Sequence, residues 1–415
     1  MVTTPNANRK HIAFFGNTNA GKSALLNAIV GQEISIVSPV HGTTTDPVMK
    51  AMELLPFGPV LFIDTAGLND SSELGEVRIK RSRKIFQRTD FAIYVLDATN
   101  INLDSYQATV SDFKRWRIPY LTVVNKTDLL ETGRIGNQDR EGNGVKQENK
   151  VKEKLKTLIP DAIFVSAENN ENILELKDIL IEKLSGTEKD ETILGDLLPR
   201  NSNVIMVIPI DSEAPKGRII LTQVQLIRDC LDNGIKSFVV QDTELEDALK
   251  ELKKVDLVVT DSQAFKFVSG IVPPEIMLTS FSILFARVKG DIDAFVEGVK
   301  QVENLVDGSK VLIAESCTHN HSHEDIGRVK IPRLLTAYTN KKLEFEFKMG
   351  HDFPESLDEY DLVIHCGSCM LNKKVMNSRI DLCDEANVKI TNYGIILAYL
   401  NGILDRSIEI FKNNL

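Results

Sequence analysis

Short apolar runs alternate with polar stretches of helical length along most of the chain. From His11 to about Leu184 the runs are IAFFG, VLFIDTAG, FAIYVLDAT, YLTVVNKTD and AIFVSA. Runs that are apolar at consecutive positions, spaced by helix-length segments, predict a largely parallel sheet covered by helices. Gly136 to Lys150 breaks the rhythm with a polar, Gly-containing stretch that has no apolar stripe and reads as an exposed insertion. Ser185-Gly-Thr-Glu-Lys-Asp-Glu191 then reads as a helix stop and solvated linker. A second group of strands, NVIMVIPID, SFVVQD and DLVVTD, is separated by helical patterns around Val224 to Leu231 and Leu245 to Leu252. A third group begins near Pro273 with MLTSFSILFA, KVLIAES, DLVIHC and KITNYG. The expected class is therefore α/β with three domains, 1–186, 187–268 and 269–415, the last two smaller and built on mainly parallel sheets.

Composition narrows this. Of 415 residues, 42 % are apolar and 26 % charged, which is globular and far from the signature of disorder. Forty-nine Lys and Arg against 59 Asp and Glu leave a net charge of −10, the wrong sign for bulk attraction to nucleic acid or anionic lipid. No run approaches the roughly 18 apolar residues of a membrane span, and the first residues lead straight into a strand, so a soluble, cytoplasmic protein without membrane contact is expected. The five cysteines are too few and too unevenly placed for a disulfide framework. Cys317, Cys366, Cys369 and Cys383 crowd the C-terminal region, which points to metal or redox chemistry there. Cys230 and Cys383 lie in helix-like surroundings and read as half-buried small residues.

The first strand runs into Gly16-Asn-Thr-Asn-Ala-Gly-Lys-Ser23 and then a helical ALLNAIVG, so GxxxxGKS stands in its strand-loop-helix setting. Gly16, Asn19, Gly21, Lys22, Ser23 and Ala24 form the expected phosphate cradle. Backbone N–H groups converge at the helix start, Lys22 reaches the terminal phosphates and Ser23 ligates Mg²⁺. Asp64-Thr-Ala-Gly67 closes a later strand, with Asp64 holding the Mg²⁺ shell and the Gly67 N–H meeting the γ-phosphate. Asn125-Lys126-Thr-Asp128 closes another. The Asp128 carboxylate can accept the paired N1–H and exocyclic amine of guanine, a donor pair that adenine does not present. Ser166-Ala167 follows a further strand and is placed to meet the guanine O6. Four such motifs in this order predict a P-loop GTPase fold at the N-terminus, with Lys22, Asp64 and Gly67 in the catalytic set.

His41-Gly-Thr-Thr-Thr-Asp46 resembles the switch segment of the TrmE–Era group of GTPases. That resemblance implies Thr44 as an Mg²⁺ ligand and Asn19 as a ligand of an activating K⁺. Thr45 stands where the group has arginine. Leu68 follows Gly67 where Ras-like proteins place a water-orienting glutamine, so the hydrolytic arrangement is not theirs.

Near the C-terminus, KVLIAES leads into Cys317-Thr-His319 and DLVIHC delivers His365-Cys366-Gly-Ser-Cys369. If the two strands are parallel neighbours, these side chains converge at one sheet edge. Three thiolates with imidazoles suit Zn²⁺ or an iron–sulfur cluster, and residue chemistry alone leaves both open. His321, His323, Glu324 and Asp325 follow as further candidates for a fourth ligand.

A TrmE–Era-like GTPase segment joined to CxH and HCxxC resembles the FeFe-hydrogenase maturation GTPases over essentially the whole chain. The stretches Ala214 to Gln225 and Asp325 to Pro332 look like segments of the same family. The resemblance implies a 4Fe-4S cluster on Cys317, Cys366 and Cys369, with His319 and His365 as candidate additional ligands, and a homodimerising middle domain. It further implies a scaffold that receives a two-iron precursor from radical-SAM maturases and delivers it to apo FeFe-hydrogenase, with GTP as a switch. The rival is an RNA-modification or ribosome-assembly GTPase with a structural zinc. From Ile271 onward, however, 16 Lys and Arg face 21 Asp and Glu, a net of −5 without a basic and aromatic stripe, so no nucleic acid partner is expected.

Overall fold

A computed structural model describes residues 4–31, 37–40, 48–65, 83–131, 153, 155–187, 192–210, 217, 219–316, 325–350 and 352–412. The chain divides into two compact units, Met1–Lys189 and Asp190–Leu415. Among the described residues no helix is long and apolar enough to cross a membrane. The 136–150 insertion, Thr44, Gly67, Leu68, Cys317, His319, His321, His323 and Glu324 lie outside the described residues.

The first unit is built on seven strands: β1 (Lys10–Phe15), β2 (Val37–Val40), β3 (Val48–Leu54), β4 (Gly58–Asp64), β5 (Phe91–Asp97), β6 (Tyr120–Asn125) and β7 (Ile163–Phe164). Their order is β2-β3-β4-β1-β5-β6-β7. β4, β1, β5, β6 and β7 run parallel, while β3 pairs antiparallel with both β4 and β2. The central strands are buried on both faces, which is why they read as continuous apolar runs.

Helices cover both faces. On one side α1 (Lys22–Val30) sets Leu25, Leu26 and Ile29 against Phe14 and Phe62, joined by Leu176, Leu180 and Leu184 from the helix Ile173–Thr187. On the other, α2 (Leu103–Arg115) brings Phe113 to Phe15, with ring centroids 5.0 Å apart. The α2 start is set locally: Asn102 Oδ1 accepts the Ser105 N–H at 3.0 Å, with Asp104 in the first turn. In contrast α1 opens on Gly21 with no side-chain cap, which leaves its first N–H groups for a ligand.

The second unit holds two four-stranded, all-parallel sheets. The first has β8 (Asn203–Val207), β9 (Lys236–Val240), β10 (Leu257–Thr260) and β11 (Met277–Ser280) in the order β11-β10-β8-β9. The second has β12 (Lys310–Glu315), β13 (Glu344–Met349), β14 (Leu362–His365) and β15 (Lys389–Asn392) in the order β13-β12-β14-β15. The expected strand MLTSFSILFA is split. Met277–Ser280 is β11, and Phe281–Lys289 is a helix, α3, because the Ser280 hydroxyl accepts the Ile283 N–H and caps a new first turn. Since β11 pairs with β10, the first sheet of this unit extends past residue 268, and a boundary at 268/269 would cut between two of its strands. One apolar cluster runs through both sheets. Ile205, Val207, Val258 and Leu278 belong to the first, and Leu312, Ile313, Val363, Ile364 and Ile390 to the second. Ile283 of α3, with Phe295 and Val299 of α4 (Ile292–Val299), belongs to the same cluster.

Candidate functional site

Two groups of predicted residues sit at C-terminal strand ends, one in each unit. In the first, β1 ends at Phe15 and turns at Gly16, whose φ is +137°. A Cβ there would stand 2.2 Å from the Val95 carbonyl oxygen, so the strand-to-loop turn admits only glycine. Lys22, the first residue of α1, is buried and donates from Nζ to the carbonyl oxygens of Gly16 (2.9 Å) and Asn17 (2.8 Å). The ammonium thus lies inside the loop it closes. Burial lowers its pKa, partly offset by the Asp64 carboxylate. Ser23 Oγ hydrogen-bonds Asp64 Oδ2, so the two expected Mg²⁺ ligands already touch. Asn19 is exposed in a left-handed conformation with φ 64°, and Ala24 is exposed on the first turn of α1.

The base-recognition motifs are tied to this loop. Asn125, at the end of β6, is buried. Its Nδ2 donates to the Ala20 carbonyl at 3.3 Å, with the Gly21 carbonyl at 3.5 Å, while its Oδ1 accepts the Ala167 N–H at 3.0 Å. One amide therefore connects the phosphate loop to the Ser166-Ala167 turn. Ser166 is buried and donates from Oγ to Asp128 Oδ1 at 2.6 Å, and its oxygen accepts the Asn169 N–H at 3.1 Å. That fixes the carboxylate expected to read guanine. Lys126 has φ 66° and pairs with Asp97 Oδ2 at 2.7 Å. Burial raises the Asp97 pKa, but the Lys126 and Thr99 hydrogen bonds outweigh it and the net shift is downward. Asp97 and Ser105, whose hydroxyl donates to Asn17 Oδ1 at 2.8 Å, were not singled out from sequence. The only available signal was the position of Asp97 at a strand end.

In the second unit β12 and β14 are parallel neighbours, with Ala314 opposite His365. Ser316, one residue before Cys317, donates its N–H to Cys366 Sγ at 3.0 Å, and its hydroxyl lies 3.1 Å from the same sulfur. Cys366 and Cys369 are half-buried. Burial pushes the Cys366 thiol up, opposed by the Ser316 hydrogen bonds. Cys230 and Cys383 are fully buried, and burial pushes each thiol up to about 12, which makes them inert packing residues.

His365 is fully buried. Its Nδ1 lies 2.8 Å from the Cys366 carbonyl oxygen, so that nitrogen carries the proton, while Nε2 accepts from Arg379 Nη1 at 2.6 Å. Both ring nitrogens are thereby engaged within the protein, and the side chain supports the loop rather than presenting a lone pair to a metal. Burial and the Arg379 charge bring its pKa down to about 3. Asp325 is also committed, since its Oδ1 accepts the Arg328 N–H at 2.8 Å and caps the turn 326–330.

Two buried cations lie against this loop. Lys289, the last residue of α3, reaches the carbonyl oxygens of Ser368 (3.3 Å), Leu371 (3.2 Å) and Cys369 (3.5 Å). Arg379 Nη2 donates to the Gly350 carbonyl at 2.6 Å, and its guanidinium lies 4.9 Å from the Phe353 ring centroid. Among the described residues no group of three or more His, Cys, Asp or Glu is arranged to hold a metal. The described thiols of Cys366 and Cys369 stand at one strand end, with the Ser316 N–H aimed at the Cys366 sulfur, a donor set of the kind that binds soft metals.

Comparison with known proteins is consistent with this division. Residues 11–126 match the family model of the 50S ribosome-binding GTPases, residues 193–290 the hydrogen maturase F dimerization domain, and residues 293–410 the hydrogen maturase F tetramerization domain. The chain is similar to the tRNA modification GTPase MnmE of Bordetella petrii, 38 % identical over 142 residues, 32 % of this chain and 31 % of that protein. It is also similar to the GTPase Der of Mycoplasmopsis pulmonis, 32 % identical over 201 residues, 45 % of this chain and 43 % of that protein. The chain thus spans less than half the length of these curated relatives. A solved structure of an Aquifex aeolicus Era variant bound to GDP·AlF4⁻ aligns at 18 % identity with a TM-score of 0.33, covering 56 % of this chain and 93 % of that one.

Fold, phosphate loop and family matches together define a P-loop GTPase domain followed by α/β domains with mostly parallel sheets. The two C-terminal matches narrow this further, and the chain belongs to the hydrogen maturase F type of GTPase.

Proposed function

We propose that this protein is a GTP-hydrolysing scaffold in FeFe-hydrogenase maturation, carrying a 4Fe-4S cluster on Cys317, Cys366 and Cys369. The observation that carries the reading is the contact between Ser316 and Cys366 Sγ. It joins the strand end that leads into Cys317 to the strand end that bears the HCxxC motif. Hydrogen maturase F domains on a GTPase domain support the same assignment.

In the nucleotide site, Lys22 would move from its two loop carbonyls to the β and γ phosphates, and Ser23 and Asp64 would open their mutual hydrogen bond to share Mg²⁺ with Thr44. Gly67 would meet the γ-phosphate. Asn125, Lys126, Asp128, Ser166 and Ala167 would hold guanine, and Asn19 would bind an activating K⁺. In the second unit Cys317, Cys366 and Cys369 would hold the cluster, which would supply an iron with an exchangeable coordination position. The chain's own residues place Cys366 and Cys369 at the end of β14 and keep His365 neutral. The two-iron precursor is cargo, received from radical-SAM maturases and passed to apo-hydrogenase, and self-association through the C-terminal domains would present it.

The test is metal and sulfide analysis of anaerobically reconstituted protein, with EPR after dithionite reduction. About four irons per chain with a signal lost in Cys366→Ala would support the proposal. One tight zinc and no cluster would move the reading to an RNA-modification GTPase with a structural metal.

A further inference from the structure

We infer that Lys289 and Arg379 are positioning residues forming a buried cationic seat for an anionic, thiolate-ligated iron–sulfur group on the Cys366–Cys369 loop. This inference rests on the cluster reading above and deepens it.

A buried charge is normally paired, because desolvation without a counter-ion is costly. Lys289 is 7 % exposed and Arg379 4 % exposed. Neither forms an ion pair with a carboxylate among the described residues. The Lys289 ammonium meets three carbonyl oxygens, all from the turn Ser368 to Leu371. Arg379 meets a histidine nitrogen, a carbonyl and an aromatic face. The acidic groups that act on Lys289 are the Cys369 and Cys366 thiols, and those that act on Arg379 are Cys366 and Cys383. With the thiols protonated, two buried cations face no described anion. Thiolate ligation of an iron–sulfur core makes the group net negative, and reduction makes it more so. The missing counter-charge then lies on Cys366 and its loop, the one acidic group that acts on both cations.

The sources of the two cations matter. Lys289 closes α3, which begins where β11 ends, whereas Arg379 lies on α5 (Lys373–Glu385), which follows the cysteine loop. The seat is therefore assembled from both sheets of the unit. Arg379 also acts through His365, whose two nitrogens relay a hydrogen-bonded path from the guanidinium to the Cys366 carbonyl.

The experiment uses the full chain, reconstituted anaerobically with ferrous iron and sulfide, as wild type, Lys289→Met, Lys289→Arg and Arg379→Gln. Two quantities are read: the rate of iron release to an external chelator, and the midpoint potential from an EPR-monitored titration. Removing an outer partner of a metal site weakens retention about 10- to 100-fold, so Lys289→Met should release iron at least about tenfold faster. Its reduced state should be disfavoured by about tenfold, a shift of about 59 mV to lower potential for a one-electron couple. Lys289→Arg, which keeps the charge, should stay near wild type. If Lys289→Met does not fold, Arg379→Gln provides the charge deletion and should move both readouts in the same directions.

Equal release and equal potential in the wild type and the charge-deleted variant would overturn the seat. So would equal shifts in Lys289→Met and Lys289→Arg, since packing rather than charge would then be responsible. A wild-type chain that takes up no iron–sulfur group would overturn the cluster reading and the seat together, and is distinguished by its iron content before any variant is compared.

Discussion

Replacing Asn125 by alanine should uncouple the two halves of the nucleotide site. The side chain makes a 3.3 Å bond to the Ala20 carbonyl and a 3.0 Å bond from the Ala167 N–H, with a weaker 3.5 Å approach to Gly21. Each neutral bond contributes about 1 kcal/mol, and a partner left unpaired in a buried setting adds about 1 kcal/mol or more. The combined loss is about 3 kcal/mol, which equals two tenfold steps in an equilibrium constant. Titration of a fluorescent GDP analogue in excess Mg²⁺ should therefore show affinity about 100-fold weaker than wild type. The chain has a single tryptophan, Trp116, and it lies in the first unit, so its fluorescence during urea unfolding reports separately on whether that unit remains folded. Affinity within about threefold of wild type, in a variant whose Trp116 transition shows it folded, would refute the coupling.

Three further outcomes follow from the same site and unit. Ser166→Ala removes the 2.6 Å bond to Asp128 and should weaken guanine nucleotide binding about tenfold, measured by the same titration. Gly16→Ala sets a Cβ 2.2 Å from the Val95 oxygen and should abolish nucleotide binding while lowering stability by about 2 kcal/mol or more, measured by urea unfolding. His11 donates from Nε2 to the Asn6 carbonyl at 2.9 Å, and burial lowers its pKa from 6.5 against the opposing pull of Asp90. The unfolded chain then binds a proton that the folded one does not, so His11 makes stability fall as pH drops below about 6.5, by at most about 1.4 kcal/mol per unit. His11→Phe should flatten that slope in Trp116-detected unfolding at several pH values.

The phosphate loop and the strand ends at Asp64, Asn125 and Ser166 were legible because each depends on a few consecutive residues at a strand end, whereas the Ser166–Asp128 bond joins positions 38 residues apart and was not. MLTSFSILFA misled because its apolar run carries no periodic break. The helix start depends on one hydroxyl, Ser280, whose capping role shows only in three dimensions. The family resemblance offered His365 as a candidate ligand, yet its engagement is decided by Arg379, fourteen residues onward on another element. Lys289 was invisible for a similar reason. A lysine before glycine at a helix end reads as a solvated C-terminal charge, and only the packing of the Ser368–Leu371 turn over it turns the ammonium inward.

The apolar cluster that runs through both sheets of the second unit has a consequence for how that unit melts. Ile283, Phe295 and Val299 belong to the same interior as Val258 and Val363, so neither sheet can lose its packing while the other keeps a complete core. Heating should produce one cooperative transition for residues 190–415. Cutting the chain after α3 should expose a wide apolar face and yield aggregates rather than a folded fragment. Any contact that stabilises one sheet, such as a second copy docked on its edge strand, would raise the free energy needed to open the cysteine loop on the other.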